Sequence, residues 1–165
     1  NTVNMADEIK TDPAKEEHLI KLRRQAMVLH TPEFAQLSRQ YLGLIPLAGA
    51  AAFRLNDGRE GILINYDYYQ KNLGQDFSDC IDFEIEHEAN ELLLTEGKET
   101  VDAFGPDHYA ASRLATIFAH KQGKLERYLE LKRAQFKMFD AAGDVRAMDE
   151  LDFYKKVAQE LEPPE

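Results

Sequence analysis

Cys80 is the only cysteine among the 165 residues, so neither an internal disulfide nor a thiolate metal cage can form within the chain. A lone thiol suits a reducing compartment, and a cytoplasmic setting is the expectation. Positive charge is also scarce. Twenty lysines and arginines stand against thirty acids, a net charge of −10. Nucleic-acid binding asks for a basic face and is not expected; attraction for cations is. No apolar run approaches the ~20 residues that cross a membrane. The longest, LGLIPLAGAAAF, has 12 residues and carries Pro46 and Gly49. No basic-then-apolar leader opens the sequence as given. Gly-x-Ser-x-Gly, phosphate-loop and dinucleotide motifs are missing, as are internal repeats.

What is present suffices for one domain. Hydrophobic residues make up 44% of the chain, an ordinary globular share, and a second domain would be cramped at this length. Residues 1–12 are polar and aperiodic and read as a flexible tail. Asp12-Pro13 is a helix start, and Leu19, Leu22, Ala26 and Leu29 predict one helix running to about His30. Thr31-Pro32-Glu33 opens a second helix, which Gly43 stops. Ala51–Leu55 and Glu60–Tyr66 flank Asn56-Asp57-Gly58 and predict an antiparallel hairpin. Four helices follow: one capped by Ser78 or Asp79 and ending near Gly97, one opened by Gly105-Pro106-Asp107, and two in a C-terminal helical extension over 124–162. The expected fold is α+β: a mostly helical single domain over 13–162 with a small antiparallel sheet.

The informative stretch is IDFEIEHEANELLL, residues 81–94. It has the apolar content of a buried helix, yet Glu84, His87, Glu88 and Glu91 share one helical face. No lysine or arginine occurs between Lys71 and Lys98 to relieve their repulsion. Such a face is either solvated or turned towards something positive. His87-Glu88-x-x-Glu91 favours the second reading. Residues four apart can place an imidazole nitrogen and a carboxylate oxygen on one ion, while Glu88 stands beside it. Downstream, Ala111, Ser112, Ala115 and Ala119 form a small-residue stripe that permits close helix approach, with His108 at its end. His87, Glu91 and His108 together are a candidate open zinc site.

The stretch resembles the active helix of the zincin metallopeptidase superfamily, whose usual motif is His-Glu-x-x-His. The order strand, active helix, later ligand helix resembles the minimal zincin core, with EGILINYDY as the strand, 78–96 as the active helix and 106–122 as the ligand helix. The resemblance implies a zinc-dependent hydrolase acting on a peptide or protein substrate held along the strand. In that reading His87 is a metal ligand and Glu88 the general base. Glu91 stands where the motif has its second histidine, and His108 restores two imidazoles and one carboxylate. The departure leaves a second hypothesis: a non-catalytic, zincin-like or helical domain that binds or regulates a protein partner.

Other readings are weaker. Glu84-x-x-His87 is half of a carboxylate-bridged di-iron motif, but no second Glu-x-x-His occurs in the sequence. Cys80 at a helix start is a conceivable nucleophile, or a small apolar filler. Arg113 suits an ion pair, with Glu84 as one candidate, ahead of a substrate carboxylate, and Tyr109 either donates a phenolic proton near the metal or is a packed or surface tyrosine. Tyr66, Tyr68 and Tyr69 line a groove or pack the sheet. His18, His30 and His120 suit surface or capping roles. The last forty residues read as a packed helical hairpin or partner face without chemistry of its own.

Overall fold

Asp12 opens the first element of the computed structural model, which describes residues 12–97 and 105–163. The expected tail falls almost wholly outside these residues. Asp12 Oδ1 accepts hydrogen bonds from the amides of Ala14 (2.9 Å) and Lys15, and Pro13 fills the first helical position of α1, Pro13–Gln25. The helix stops there rather than at His30. Ala26 turns extended, and Met27–Leu29 forms strand β1. The i, i+3, i+4 spacing of apolar residues suited a longer helix, but a neighbouring strand offers these backbone groups another partner. Met27, Val28 and Leu29 pair in parallel with Leu63, Ile64 and Asn65.

Helix α2, Thr31–Leu42, begins at the expected Thr-Pro-Glu signal and ends at Gly43, whose φ of 74° only glycine adopts cheaply. The hairpin forms as expected, from β2 (Ala50–Arg54) and β3 (Glu60–Asn65), with Ala50 opposite Ile64 and Arg54 opposite Glu60. The sheet order is β1-β3-β2, so the sheet is mixed, not solely antiparallel. β3 is therefore the central strand and both its edges are taken. It cannot hold an extended substrate, as the segment EGILINYDY was expected to do. Ile62 and Ile64 face the main core, while Leu63 packs with Phe34 and Phe53 under α2. Tyr66–Lys71, partly expected as strand, coils into a short helix α3 because Asn65 accepts from the Tyr68 amide.

A 3-10 turn, Ser78–Cys80, leads into α4, Ile81–Leu94. Neither Ser78 nor Asp79 caps it. Asp76 Oδ1 instead secures the turn by accepting from the Ser78 amide (2.8 Å) and hydroxyl (2.6 Å). Three further helices follow: α5 (Pro106–Lys121), α6 (Leu125–Ala141) and α7 (Ala147–Leu161). The architecture is α+β, seven α-helices and one small three-stranded sheet among the described residues.

Two features position the site. Ala111, Ser112, Ala115 and Ala119 are all buried, and they bring α5 against α4 in the most extensive helix contact of the fold. Arg54 of β2 reaches across to the C-terminal carbonyls of α4, donating to Leu92 and, at 3.0 Å, to Thr95. A cation there also suits the negative end of the helix dipole. Strand β2, α4 and α5 are thereby locked together.

Candidate metal centre

Three of the four glutamates of α4 do not face water. Glu84, Glu86, His87 and Glu91 are each no more than 6% exposed, and burying ionised groups on that scale demands partners. They come from distant sequence. Arg23 of α1 clasps Glu86 through two hydrogen bonds of 2.7 and 2.8 Å. Lys132 of α6 lies 2.8 Å from Glu84, inside a cage formed by the rings of Tyr128, Tyr154 and Phe136. Burial works against the Lys132 charge, but Glu84 overcomes it and holds the ammonium above its usual range.

Glu91 is satisfied differently. Its Oε1 sits 2.7 Å from His87 Nε2 on the same helix and 2.6 Å from His108 Nδ1 on α5. The three donor atoms lie within 4.8 Å of one another, the one such group among the described residues. Burial pushes the Glu91 carboxyl upward, yet the two imidazoles win and hold it down at about 2. His108 shows the complement. Burial alone would depress it, but Glu150 and Glu91 raise it to about 9.

The non-facing nitrogens of both rings are occupied as well. His87 Nδ1 is 3.4 Å from Ser112 Oγ, which accepts a 3.0 Å hydrogen bond from the Tyr154 hydroxyl. His108 Nε2 is 3.8 Å from Glu150 Oε1. Glu150 and Tyr154 belong to α7, so the C-terminal hairpin does contribute to the site.

A cavity of about 110 Å³ opens beside the cluster. His87, His108 and Glu88 line it, together with Glu150 and Tyr154, Ala50 of the edge strand β2 and Ala48 just before that strand. Glu88 is half-buried and has no ion-pair partner among the described residues. Burial, then the charges of Glu91 and Glu84, drives its carboxyl well above the ordinary range.

Several expected residues lie elsewhere. Arg113 pairs with Glu160 at 2.7 Å rather than with Glu84. Tyr109 packs edge-on against both Phe153 and the His108 ring, and of Tyr66, Tyr68 and Tyr69 it is Tyr69 that lines the cavity. Glu84 is committed to Lys132 and does not join His87 as half of a di-iron motif. Cys80 is buried, and burial followed by the Asp79 charge pushes its thiol up to about 12, far from a reactive thiolate. His18 bonds Glu60 and Glu96, His30 bonds Asp67 at the start of α2, and His120 lies 3.3 Å from Glu162.

Two imidazoles and one carboxylate suit zinc chemically. Tetrahedral zinc with ligand distances of about 2.0–2.2 Å separates its donors by roughly 3.4 Å. The 2.6 and 2.7 Å separations here are hydrogen-bond distances, so Glu91 would have to draw back by under ~1 Å to admit the ion. Comparison with known proteins finds no matching family model, curated protein or solved structure.

Proposed function

We propose that the protein is a zinc-dependent hydrolase of zincin-like type, acting on a peptide or amide bond. The observation that carries this reading is the meeting of His87 Nε2, Glu91 Oε1 and His108 Nδ1 at one point, beside a cavity that also receives Glu88. When bound, zinc would supply Lewis acidity, polarising a carbonyl and making a water nucleophilic at neutral pH.

The chain's own residues do the rest. Glu88 accepts the proton of the attacking water and returns it to the leaving amine. α4 holds Glu88 one residue beyond His87, beside rather than within the ligand set. The edge strand β2, not β3, borders the cavity through Ala50, with Ala48 just before the strand, and a substrate backbone would lie along it. An acidic chain with one buried thiol fits a cytoplasmic enzyme, and no described helix is long and apolar enough to cross a membrane.

The test is Glu88→Gln. Zinc content should stay at the wild-type level while cleavage of a fluorogenic peptide library falls by a factor of roughly 10²–10⁴. A zinc-loaded wild type that cleaves nothing in the library would favour the non-catalytic, partner-binding reading of the same fold. Equal cleavage by both proteins would remove Glu88 from the reaction.

A further inference from the structure

Resting on the metal-centre reading, we infer that Ser112 and Glu150 are positioning residues that assign the ligating atoms: Nε2 of His87 and Nδ1 of His108. The two rings are held in opposite senses. His87 turns Nε2 to Glu91 and Nδ1 to Ser112. His108 turns Nδ1 to Glu91 and Nε2 to Glu150. Each ring thus has a partner at the nitrogen that faces away from the common point, Ser112 at a long hydrogen-bond distance of 3.4 Å and Glu150 at an ion-pair distance of 3.8 Å. A neutral imidazole carries one proton, so the partner of that outer nitrogen decides which nitrogen keeps a lone pair for a metal.

The two partners do this by different chemistry. A carboxylate only accepts, so Glu150 stabilises a proton on His108 Nε2 and leaves Nδ1 free to ligate. Ser112 has a hydroxyl, which both donates and accepts. Without metal, His87 Nε2 can donate to Glu91 while Ser112 donates to Nδ1. Were Nε2 to hold a metal, the ring's one proton would sit on Nδ1, and Ser112 Oγ would accept its hydrogen bond. The Tyr154 hydroxyl donates to Ser112 Oγ at 3.0 Å and fixes that oxygen in place. Thr116, one turn on, bonds the Ser112 carbonyl at 2.8 Å and steadies the backbone. The closing helix α7 therefore supplies one group that acts on each ring, Glu150 directly and Tyr154 through Ser112.

The experiment uses the full chain and zinc alone. Long-range ¹H–¹⁵N correlation spectra of the zinc-loaded protein should show a protonated Nδ1 and metal-bound Nε2 for His87, and the reverse for His108. Zinc affinity, measured by chelator competition, should fall roughly 10–100-fold in Ser112→Ala and in Glu150→Ala. Glu150→Gln keeps an acceptor and should recover part of the loss. Tyr154→Phe, which removes only a hydroxyl, should weaken zinc less than Ser112→Ala. Thermal melts of the metal-free variants separate lost affinity from lost folding. If wild type binds zinc and both alanine variants bind it as tightly, or if the ligating nitrogens are the other pair, the positioning role is overturned while the metal centre stands. If wild type takes up no zinc, the metal centre and this inference fall together.

Discussion

Removing the Lys132 ammonium should cost this protein a large part of its stability. Lys132 Nζ lies 2.8 Å from Glu84 Oε1 and 3.1 Å from Gln135 Oε1, with the side chains of Lys132 and Glu84 only 4% and 5% exposed. A buried ion pair adds little relative to well-packed apolar residues, because desolvation offsets the attraction. Breaking it from one side is another matter. Lys132→Met keeps most of the packing volume and leaves Glu84 charged in a protein interior, at a cost of about 3–5 kcal/mol. At 2–4 °C per kcal/mol for a domain of this size, the melting temperature should drop by roughly 6–20 °C. The aromatic rings around the ammonium, about 5 Å away at Tyr128 and Tyr154, lose a cation–π contribution in the same step. Urea unfolding of chelator-treated protein, followed by far-UV circular dichroism, measures the change. The double variant Lys132→Met, Glu84→Gln isolates the charge, since it removes both members. It should be more stable than the sum of the single losses implies by at least ~2 kcal/mol. A single-variant loss under ~1 kcal/mol, or simple additivity, would refute the assignment of this pair as a coupled, buried unit.

Other expectations follow from the same geometry. In metal-free protein His108 is raised to about 9 by Glu150 and Glu91 against the opposing effect of burial. Because the folded value exceeds the unfolded ~6.5, that stabilisation is complete below pH ~6.5 and is lost as pH rises through 9. The decline should be up to about 3 kcal/mol; the low value of Glu91, set against burial by His87 first and then His108, overlaps with this interaction and is not added to it. Urea midpoints recorded across that range with chelator present would show it, and a flat profile would count against the buried His108–carboxylate cluster. Gly49→Ala should destabilise by about 1–3 kcal/mol, because a Cβ there would lie 2.2 Å from Tyr68 Cδ1 and 2.7 Å from Tyr69 Cε2. An unchanged urea midpoint would mean that α3 yields more readily than its packing implies.

Much of the fold was legible where punctuation is local. Asp12-Pro13, Gly43, Asn56-Asp57-Gly58 and Gly105-Pro106 each sit where a helix or turn begins or ends. The cluster of His87, Glu91 and His108 was legible too, because spacing by four fixes one helical face and the alanine stripe of α5 brings the second helix close. Strand β1 was not. Nothing in Met27-Val28-Leu29 itself stops a helix, and only the free edge of β3 selects the extended state. The counter-charges were equally hidden. A search near residues 81–94 finds no base, whereas Arg23 and Lys132 arrive from helices on either side in sequence. Glu150 and Tyr154 looked like ordinary positions in an amphipathic helix, and only the closure of α7 over α5 turns them towards the histidines.

The most direct measurement is the zinc content of wild type and of His108→Ala after metal-free protein is loaded with zinc and passed through a desalting column. About one equivalent per wild-type chain, with binding at least tenfold weaker in His108→Ala, is the expected result. Wild type emerging without zinc, or His108→Ala retaining zinc as firmly as wild type, would contradict a centre built by α4 and α5 together.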